Sequence, residues 1–139
     1  MLKPDGRVVM VSGANRGIGL AVAKHLGDIG YRLSLGVRDP AALQSFDGMQ
    51  DVLTHHWDAT DRNTSSAWSE ATLNRFQRID AVVLNAGVML RADLETGSED
   101  DMDLMWEVNF KGPLRLIRAV LPSLKSSRNG CIQRLSCTQ

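Results

Sequence analysis

Three glycines follow an apolar run at residues 8–11, with the spacing Gly-x-x-x-Gly-x-Gly, at Gly13, Gly17 and Gly19. Gly13 can adopt the φ values of a tight turn, and Gly17 lets the backbone come close to a ligand. Gly19 lets a following helix pack against the strand. The amino end of such a helix presents free N–H groups and a partial positive charge, which suit a phosphate. The segment therefore predicts a strand-turn-helix that binds the pyrophosphate of a nucleotide. The residues between the glycines that we include in this predicted site are Asn15, Arg16 and Ile18.

The elements around this turn alternate between strand and helix. Expected strands cover residues 7–12, 31–37, 51–56, 80–84 and 131–136, and expected helices cover 18–29, 39–45, 61–78 and 98–126. Strands that alternate with helices imply right-handed crossovers and a parallel sheet. We therefore expect one α/β domain over residues 1–139, in which Pro113 kinks the long last helix and Pro122 loosens its end.

The composition excludes several classes of protein. The chain has 139 residues, of which 43% are hydrophobic and 23% are charged, and its formal net charge is zero. This balance suits one globular domain and favours neither a nucleic acid nor an anionic membrane as partner. No apolar stretch approaches the ~20 residues of a membrane span, and the first residues lack the apolar core of a signal peptide. We therefore expect a cytoplasmic protein.

The histidines and cysteines predict neither a metal site nor a disulfide. His55 and His56 are adjacent on an expected strand and point to opposite faces, so they cannot chelate one metal together. Cys131 and Cys137, if they share a strand, lie roughly 20 Å apart and cannot bond. We expect free thiols in a reducing compartment, with Cys131 as a small buried hydrophobic residue.

Four segments in order resemble the motifs of one enzyme family. Residues 12–19, Ser-Gly-Ala-Asn-Arg-Gly-Ile-Gly, are similar to the pattern Thr-Gly-x-x-x-Gly-x-Gly, and residues 84–87, Leu-Asn-Ala-Gly, are similar to Asn-Asn-Ala-Gly. Asp58 follows the third expected strand, and residues 108–113, Val-Asn-Phe-Lys-Gly-Pro, resemble the segment that carries a catalytic Asn. The chain thus resembles the short-chain dehydrogenase/reductase family over nearly all of its length.

The resemblance implies a fold and an activity. The implied fold is a doubly wound parallel sheet of the Rossmann type, with strand order 3-2-1-4-5, truncated here after strand five. The implied activity is hydride transfer between a nicotinamide cofactor and a small carbonyl or alcohol substrate. Members of the family commonly pair through the long helix after strand four, so a homo-oligomer is expected.

The resemblance also implies roles for particular residues. Asp58 would contact the adenine ring, with Ala59 beside it, and Asn85, Ala86 and Gly87 would support the cofactor wall. Asn109 matches the Asn that holds a water in the proton relay. Alignment of residues 130–132 with the start of the family's strand five puts Cys137 at the place of the Ser that orients the substrate oxygen, and a shift of one residue puts Ser136 there.

The residue that follows strand two indicates which cofactor is bound. Enzymes that use NAD commonly end this strand with an acid that bonds the ribose hydroxyls. Here that place falls on Val37, and Arg38 follows it. Arg16 lies in the glycine turn, and two guanidinium groups near the ribose would attract a 2′-phosphate. The sequence therefore predicts NADP(H) rather than NAD(H).

One catalytic motif of the family has no match in these residues. The family uses a Tyr as general acid or base, followed four residues later by a Lys, because an unperturbed Tyr has a pKa of ~10 and is a poor base at neutral pH. The one tyrosine here is Tyr31, which begins the second expected strand at the end of the sheet away from the crevice. We therefore expect catalytic incompleteness. The chain is either a fragment of a longer reductase or a natural half-domain.

Two functions of other classes stay open. A non-catalytic nucleotide-binding or regulatory module would keep the glycine turn without turnover. An S-adenosylmethionine-dependent transferase could also use a glycine-rich first turn in a parallel sheet. The pair Arg16 and Arg38 argues against the transferase.

Overall fold

A computed structural model of the protein describes residues 3–90 and 92–135. Its five strands form one parallel sheet in the order β3-β2-β1-β4-β5, so the predicted Rossmann arrangement is confirmed. The strands are β1 (Val8–Ser12), β2 (Arg32–Val37), β3 (Val52–His56), β4 (Ala81–Leu84) and β5 (Cys131–Arg134). The helices are α1 (Gly17–Asp28), a 3₁₀ helix (Pro40–Phe46), α2 (Thr64–Phe76), α3 (Glu99–Trp106), a π-helical turn (Glu107–Lys111) and α4 (Gly112–Ser126).

The central strand β1 is buried on both faces and separates two hydrophobic clusters. Val9 and Val11 belong to the cluster on the α1 side, whereas Met10 belongs to the cluster that includes Trp68 of α2 and Leu116 of α4. Side chains along a strand alternate between its faces, so one apolar run contributes to both layers. This double burial explains why β1 is apolar at every position up to Ser12.

The region predicted as one helix over residues 98–126 is interrupted. The predicted kink at Pro113 is wrong in position, because the irregularity is the π-helical turn Glu107–Lys111, which precedes the proline. Pro113 lies in the first turn of α4, where its missing N–H is not needed. Pro122 lies inside α4 without ending it, since the helix continues to Ser126.

The edge strand β5 corrects a second expectation. All four of its residues are exposed, including Cys131, which was expected to be buried. The strand pairs with β4 on one side, and among the described residues no helix covers its faces. Ser136 and Cys137, the two candidates for the catalytic Ser place, lie outside the described residues.

Within residues 3–90 and 92–135, no helix has both the length and the apolar character that crossing a membrane requires.

Candidate functional site

A groove of about 670 Å³ lies at the carboxyl ends of β1, β2, β3 and β4. In a parallel sheet this edge binds ligands where the strand order reverses, and here β1 lies between β2 and β4. The volume falls within the range of small-molecule sites. The predicted site residues that line the groove are Gly13, Asn15, Arg16, Arg38, Asp58, Ala59, Asn85, Ala86 and Gly87.

The glycine turn is built as its spacing predicts. Gly13 has φ +68° and donates its N–H to the carbonyl of Gly36 at 2.8 Å. Gly17 has φ +55°, and a Cβ placed there would meet no atom within 4 Å, so the turn is open on that side. A Cβ at Gly19 would collide with the carbonyl oxygen of Gly13 and the side-chain amide of Asn85. Gly19 thus lets α1 begin directly against the turn.

The amino end of α1 is free to meet an anion. Arg16, the residue before the helix, has an extended backbone and makes no side-chain capping hydrogen bond, and the first turn carries no acidic residue. The N–H groups of that turn and the helix dipole therefore favour a phosphate. Ile18 is 57% exposed, and neither Gly17, Ile18 nor Gly19 lines the groove as it stands.

Ser12 and Asn85 join the ends of β1 and β4. The Ser12 hydroxyl oxygen accepts hydrogen bonds from the N–H groups of Asn85 at 3.0 Å and Ala86 at 3.2 Å. The Asn85 amide donates to the carbonyls of Ser12 and Gly13, each at 3.1 Å. These bonds fix one wall of the groove. The motif resemblance gives Ser12 only as a substitute for Thr, whereas the structure shows that its hydroxyl holds this wall together.

Asp58 lies on the opposite wall, where the chain leaves β3. Its Oδ1 accepts hydrogen bonds from the N–H of Thr60 at 2.9 Å and the hydroxyl of Thr60 at 2.8 Å. Burial by itself raises the pKa of Asp58, but these bonds and the charges of Arg38 and His56 outweigh it, so the pKa lies below its usual range. Asp58 therefore presents an ionised carboxylate to the groove at neutral pH.

Arg38 follows β2 and lines the groove beside Asp39. The Asp39 Oδ1 accepts from the N–H of Ala41 at 3.0 Å, as the N-cap of the 3₁₀ helix. That carboxylate is thus already engaged by the backbone. Arg38 and Arg16 are exposed cations at the same groove.

Asn109 lies in the π-helical turn, and its side chain binds the backbone of Val88. The Asn109 Oδ1 accepts from the Val88 N–H at 2.8 Å, and its Nδ2 donates to the Val88 carbonyl at 2.7 Å. The carbonyl of Asn109 itself accepts from the guanidinium of Arg134 at 3.4 Å. Asn109 therefore holds the segment after β4, beside the groove but not among its lining residues. This bond gives a reason for the long polar side chain of Arg134 on β5.

A cluster of charges to which the sequence motifs assign no role connects α4 to the groove. The Arg115 guanidinium donates to the Ala59 carbonyl at 3.0 Å and to Glu107 at 2.9 Å. Lys111 binds the other oxygen of Glu107 at 2.8 Å, and the bonds from Lys111 and then Arg115 lower the pKa of Glu107. The spacing of Glu107 and Lys111, four residues apart, was a signal for the pair. Nothing in the sequence indicated the contact with Ala59.

The sheet order, the glycine turn and the groove at the strand ends define a fold of the Rossmann type. The model of the short chain dehydrogenase family matches residues 7–138, and the chain belongs to this family.

The chain is also similar in sequence to curated reductases and oxidoreductases. The chain is 39% identical over 132 residues to an agropine synthesis reductase of Rhizobium rhizogenes, covering 93% of this chain and 31% of that protein. It is 35% identical to an uncharacterized oxidoreductase of Staphylococcus saprophyticus, covering 94% of this chain and 54% of that one. The chain thus spans only about a third to a half of these curated relatives.

The chain is also similar to solved structures that contain a nucleotide. One is an alcohol dehydrogenase from the archaeon Thermococcus sibiricus complexed with 5-hydroxy-NADP, at 36% identity and a TM-score of 0.86, covering 92% of this chain and 57% of that one. The other is a metagenomic short-chain oxidoreductase in complex with NADP, at 30% identity and a TM-score of 0.88, covering 99% and 65%.

Proposed function

We propose that the protein binds NADP(H) in the groove. We propose further that it is part of an oxidoreductase that transfers hydride between the nicotinamide and a small carbonyl or alcohol substrate. The observation that carries this proposal is that Arg16 and Arg38 line one groove together with the glycine turn. A 2′-phosphate adds two negative charges that guanidinium groups can bind with paired hydrogen bonds. The acid nearest this place, Asp39, already caps the 3₁₀ helix, which makes it a poor partner for the ribose hydroxyls of NAD.

Each part of the groove has a role in this proposal. The free N–H groups of α1 hold the pyrophosphate, and the Asp58 carboxylate accepts from the adenine amino group. Asn85 keeps the wall rigid through its bonds to β1, and Asn109 fixes the Val88 backbone near the nicotinamide end. When bound, the nicotinamide supplies the hydride donor or acceptor. The solved relatives bound to NADP or its 5-hydroxy derivative support this choice of cofactor.

We propose that residues 1–139 by themselves bind the nucleotide without turnover. Tyr31 immediately precedes β2, so it lies at the end of the sheet opposite the groove, and it lines a separate cavity. No tyrosine therefore stands where a substrate carbonyl would need a proton. The second candidate function is that of a nucleotide-binding module, which binds the nucleotide and catalyses no reaction.

Thermal unfolding with NADPH, NADH and S-adenosylmethionine tests this assignment. A ligand at 100 times its Kd should stabilise the chain by ~2.7 kcal/mol, and we expect this from NADPH. An NADPH-consumption assay on the same chain should give no turnover. Stabilisation by S-adenosylmethionine alone would favour a transferase, and measurable turnover would contradict the proposed need for another tyrosine.

We further propose a homo-oligomer that forms through the face of α3 and the π-helical turn. Trp106 and Phe110 stack there with ring centroids 4.3 Å apart, and they are 53% and 46% exposed. The first turn of α3 is acidic, whereas α4 carries exposed basic residues such as Arg118 and Lys125. Two copies packed antiparallel about a two-fold axis would bury the aromatic pair and set opposite charges against each other.

Sedimentation of Trp106→Glu tests this assembly. The wild-type chain should sediment as a dimer and the variant as a monomer, because the change buries an unpaired charge in the interface. Leu94→Glu is the control, since Leu94 is fully exposed in the loop before α3. A wild-type chain that stays monomeric at every concentration would contradict the proposal.

We also propose a cytoplasmic location, because an exposed free thiol at Cys131 suits a reducing compartment. Fractionation of cells that produce the protein would test it, and recovery from an oxidising compartment would contradict it.

A further inference from the structure

His56 ends β3 and contacts the backbone of the residue after β2. In the parallel pairing of these strands His56 lies opposite Val37, and Arg38 is the next residue of that chain segment. The His56 Nδ1 is 2.7 Å from the carbonyl oxygen of Arg38. A carbonyl only accepts hydrogen bonds, so Nδ1 carries the hydrogen and donates it.

The same short segment is held at two further points. The N–H of Trp57 donates to the Val37 carbonyl at 2.9 Å, just before Arg38. Just after it, Asp39 caps the 3₁₀ helix and Pro40 restricts the backbone of the first helical turn. The carbonyl of Arg38 itself is held by the His56 ring. The three contacts together fix where the Arg38 side chain leaves the backbone, at the rim of the groove that it lines.

We infer that His56 is a positioning residue that determines cofactor specificity by holding Arg38 at the groove. The inference rests on the proposed binding of NADP(H) through Arg38. An exposed arginine on a free loop must be ordered when its phosphate arrives, whereas one on a fixed backbone loses less conformational freedom. NADH lacks the 2′-phosphate, so its affinity does not increase when the Arg38 backbone is held in place. His56 therefore acts on the ratio of the two affinities rather than on both.

Substitutions at His56 separate the hydrogen bond from the rest of the side chain. His56→Val suits a strand and removes the donor, and His56→Phe removes the donor but keeps a ring. His56→Asn keeps a donor at the same number of bonds from Cβ as Nδ1. We expect the Kd for NADPH to rise about three- to tenfold in the Val and Phe variants, which is the fold-change of one net hydrogen bond. The Kd for NADH should stay within about twofold, and His56→Asn should restore most of the NADPH affinity.

A double-mutant cycle with Arg38→Gln shows whether His56 acts through Arg38. In the Arg38→Gln background, His56→Val should no longer change the Kd for NADPH, because the charge that it positions is gone. His25→Val is the control, since His25 is an exposed histidine on α1, away from this segment. Circular dichroism and melting of each variant verify that it is folded before titration.

The outcomes distinguish this inference from the proposed function. If the wild-type chain prefers NADPH but His56→Val and His56→Phe keep the same ratio of affinities, the inference is overturned and the proposed function stands. Equal losses for NADPH and NADH, or no rescue by His56→Asn, overturn the inference as well. If the wild-type chain shows no preference for NADPH, the proposed cofactor fails and the inference fails with it.

Discussion

The two ends of the groove differ in what their side chains are free to do. At the end formed by the glycine turn and the residues after β2, Arg16 and Arg38 are exposed and α1 begins without a cap. Beside the end near Val88, outside the lining of the groove, the side chain of Asn109 has both of its amide atoms bonded to the backbone. The first end is ready to bind an anion, whereas the second is organised to hold a segment in place. Nucleotide affinity and the stability that the Val88 segment provides can therefore be tested separately in this chain.

Gly19→Val should have the largest effect, because it attacks the binding end directly. The added side chain would collide with Gly13 and Asn85, so the turn must move. We expect the affinity for NADPH to fall more than about 100-fold, together with a loss of stability of ~1–3 kcal/mol from overpacking. Titration and denaturant unfolding measure the two effects. Gly27→Ala, on the same helix away from the turn, is the control and should keep the affinity. Unchanged affinity in Gly19→Val would contradict the role of the turn.

Asn109→Ala should show the opposite pattern, because it affects the second end. The Val88 N–H and carbonyl both lose their partner, which should lower the free energy of unfolding by ~1–3 kcal/mol. The affinity for NADPH should change by less than about threefold, since Asn109 does not line the groove. Asn109→Asp keeps the acceptor for the Val88 N–H and is the partial control. A loss of affinity as large as in Gly19→Val would remove the distinction between the two ends.

Arg115→Met should weaken the binding of both nucleotides equally. The variant keeps much of the apolar stem and removes the donor to the Ala59 carbonyl, on the wall that carries Asp58. We expect the Kd values for NADPH and NADH to rise about two- to tenfold with an unchanged ratio. Arg118→Met, at an exposed arginine further along α4, is the control and should leave both Kd values unchanged. A change in the ratio would mean that Arg115 acts on cofactor choice.

We expect the smallest effect from the protonation of Glu107, which lowers the free energy of unfolding at acid pH. Hydrogen bonds from Lys111 and Arg115 lower the pKa of Glu107 from 4.5, so the folded state favours the ionised carboxylate. Its contribution to stability is complete at pH values above 4.5 and is lost as the pH falls through the lowered value. Glu107→Gln should therefore reduce the stability difference between neutral and acid conditions, as measured by denaturant unfolding at several pH values. An identical pH dependence in the variant would contradict this contribution.

The sequence predicted most of the sheet and much of the binding end, because both depend on local patterns. The apolar runs of β1, β2 and β4 and the glycine spacing have direct physical meanings, and the structure confirms the order of all five strands. The predicted residues at the strand ends converge on one groove for the same reason, since the carboxyl ends of parallel strands meet at one edge.

The missed features depend on contacts between distant segments. The π-helical turn places Asn109 against Val88, and no local pattern in residues 107–111 indicates that bond. The contact between Arg115 and Ala59 spans 56 residues of sequence, and the exposure of Cys131 depends on what covers an edge strand. These are tertiary effects, which override local preferences.

The most direct test of the central claim is calorimetric titration of residues 1–139 and Arg38→Asp with NADPH and NADH. The wild-type chain should bind NADPH more tightly than NADH, and the variant should lose at least about tenfold in NADPH affinity while its NADH affinity stays nearly constant. Equal losses for both nucleotides, or a wild-type chain that binds neither, would contradict the assignment of this groove to NADP(H).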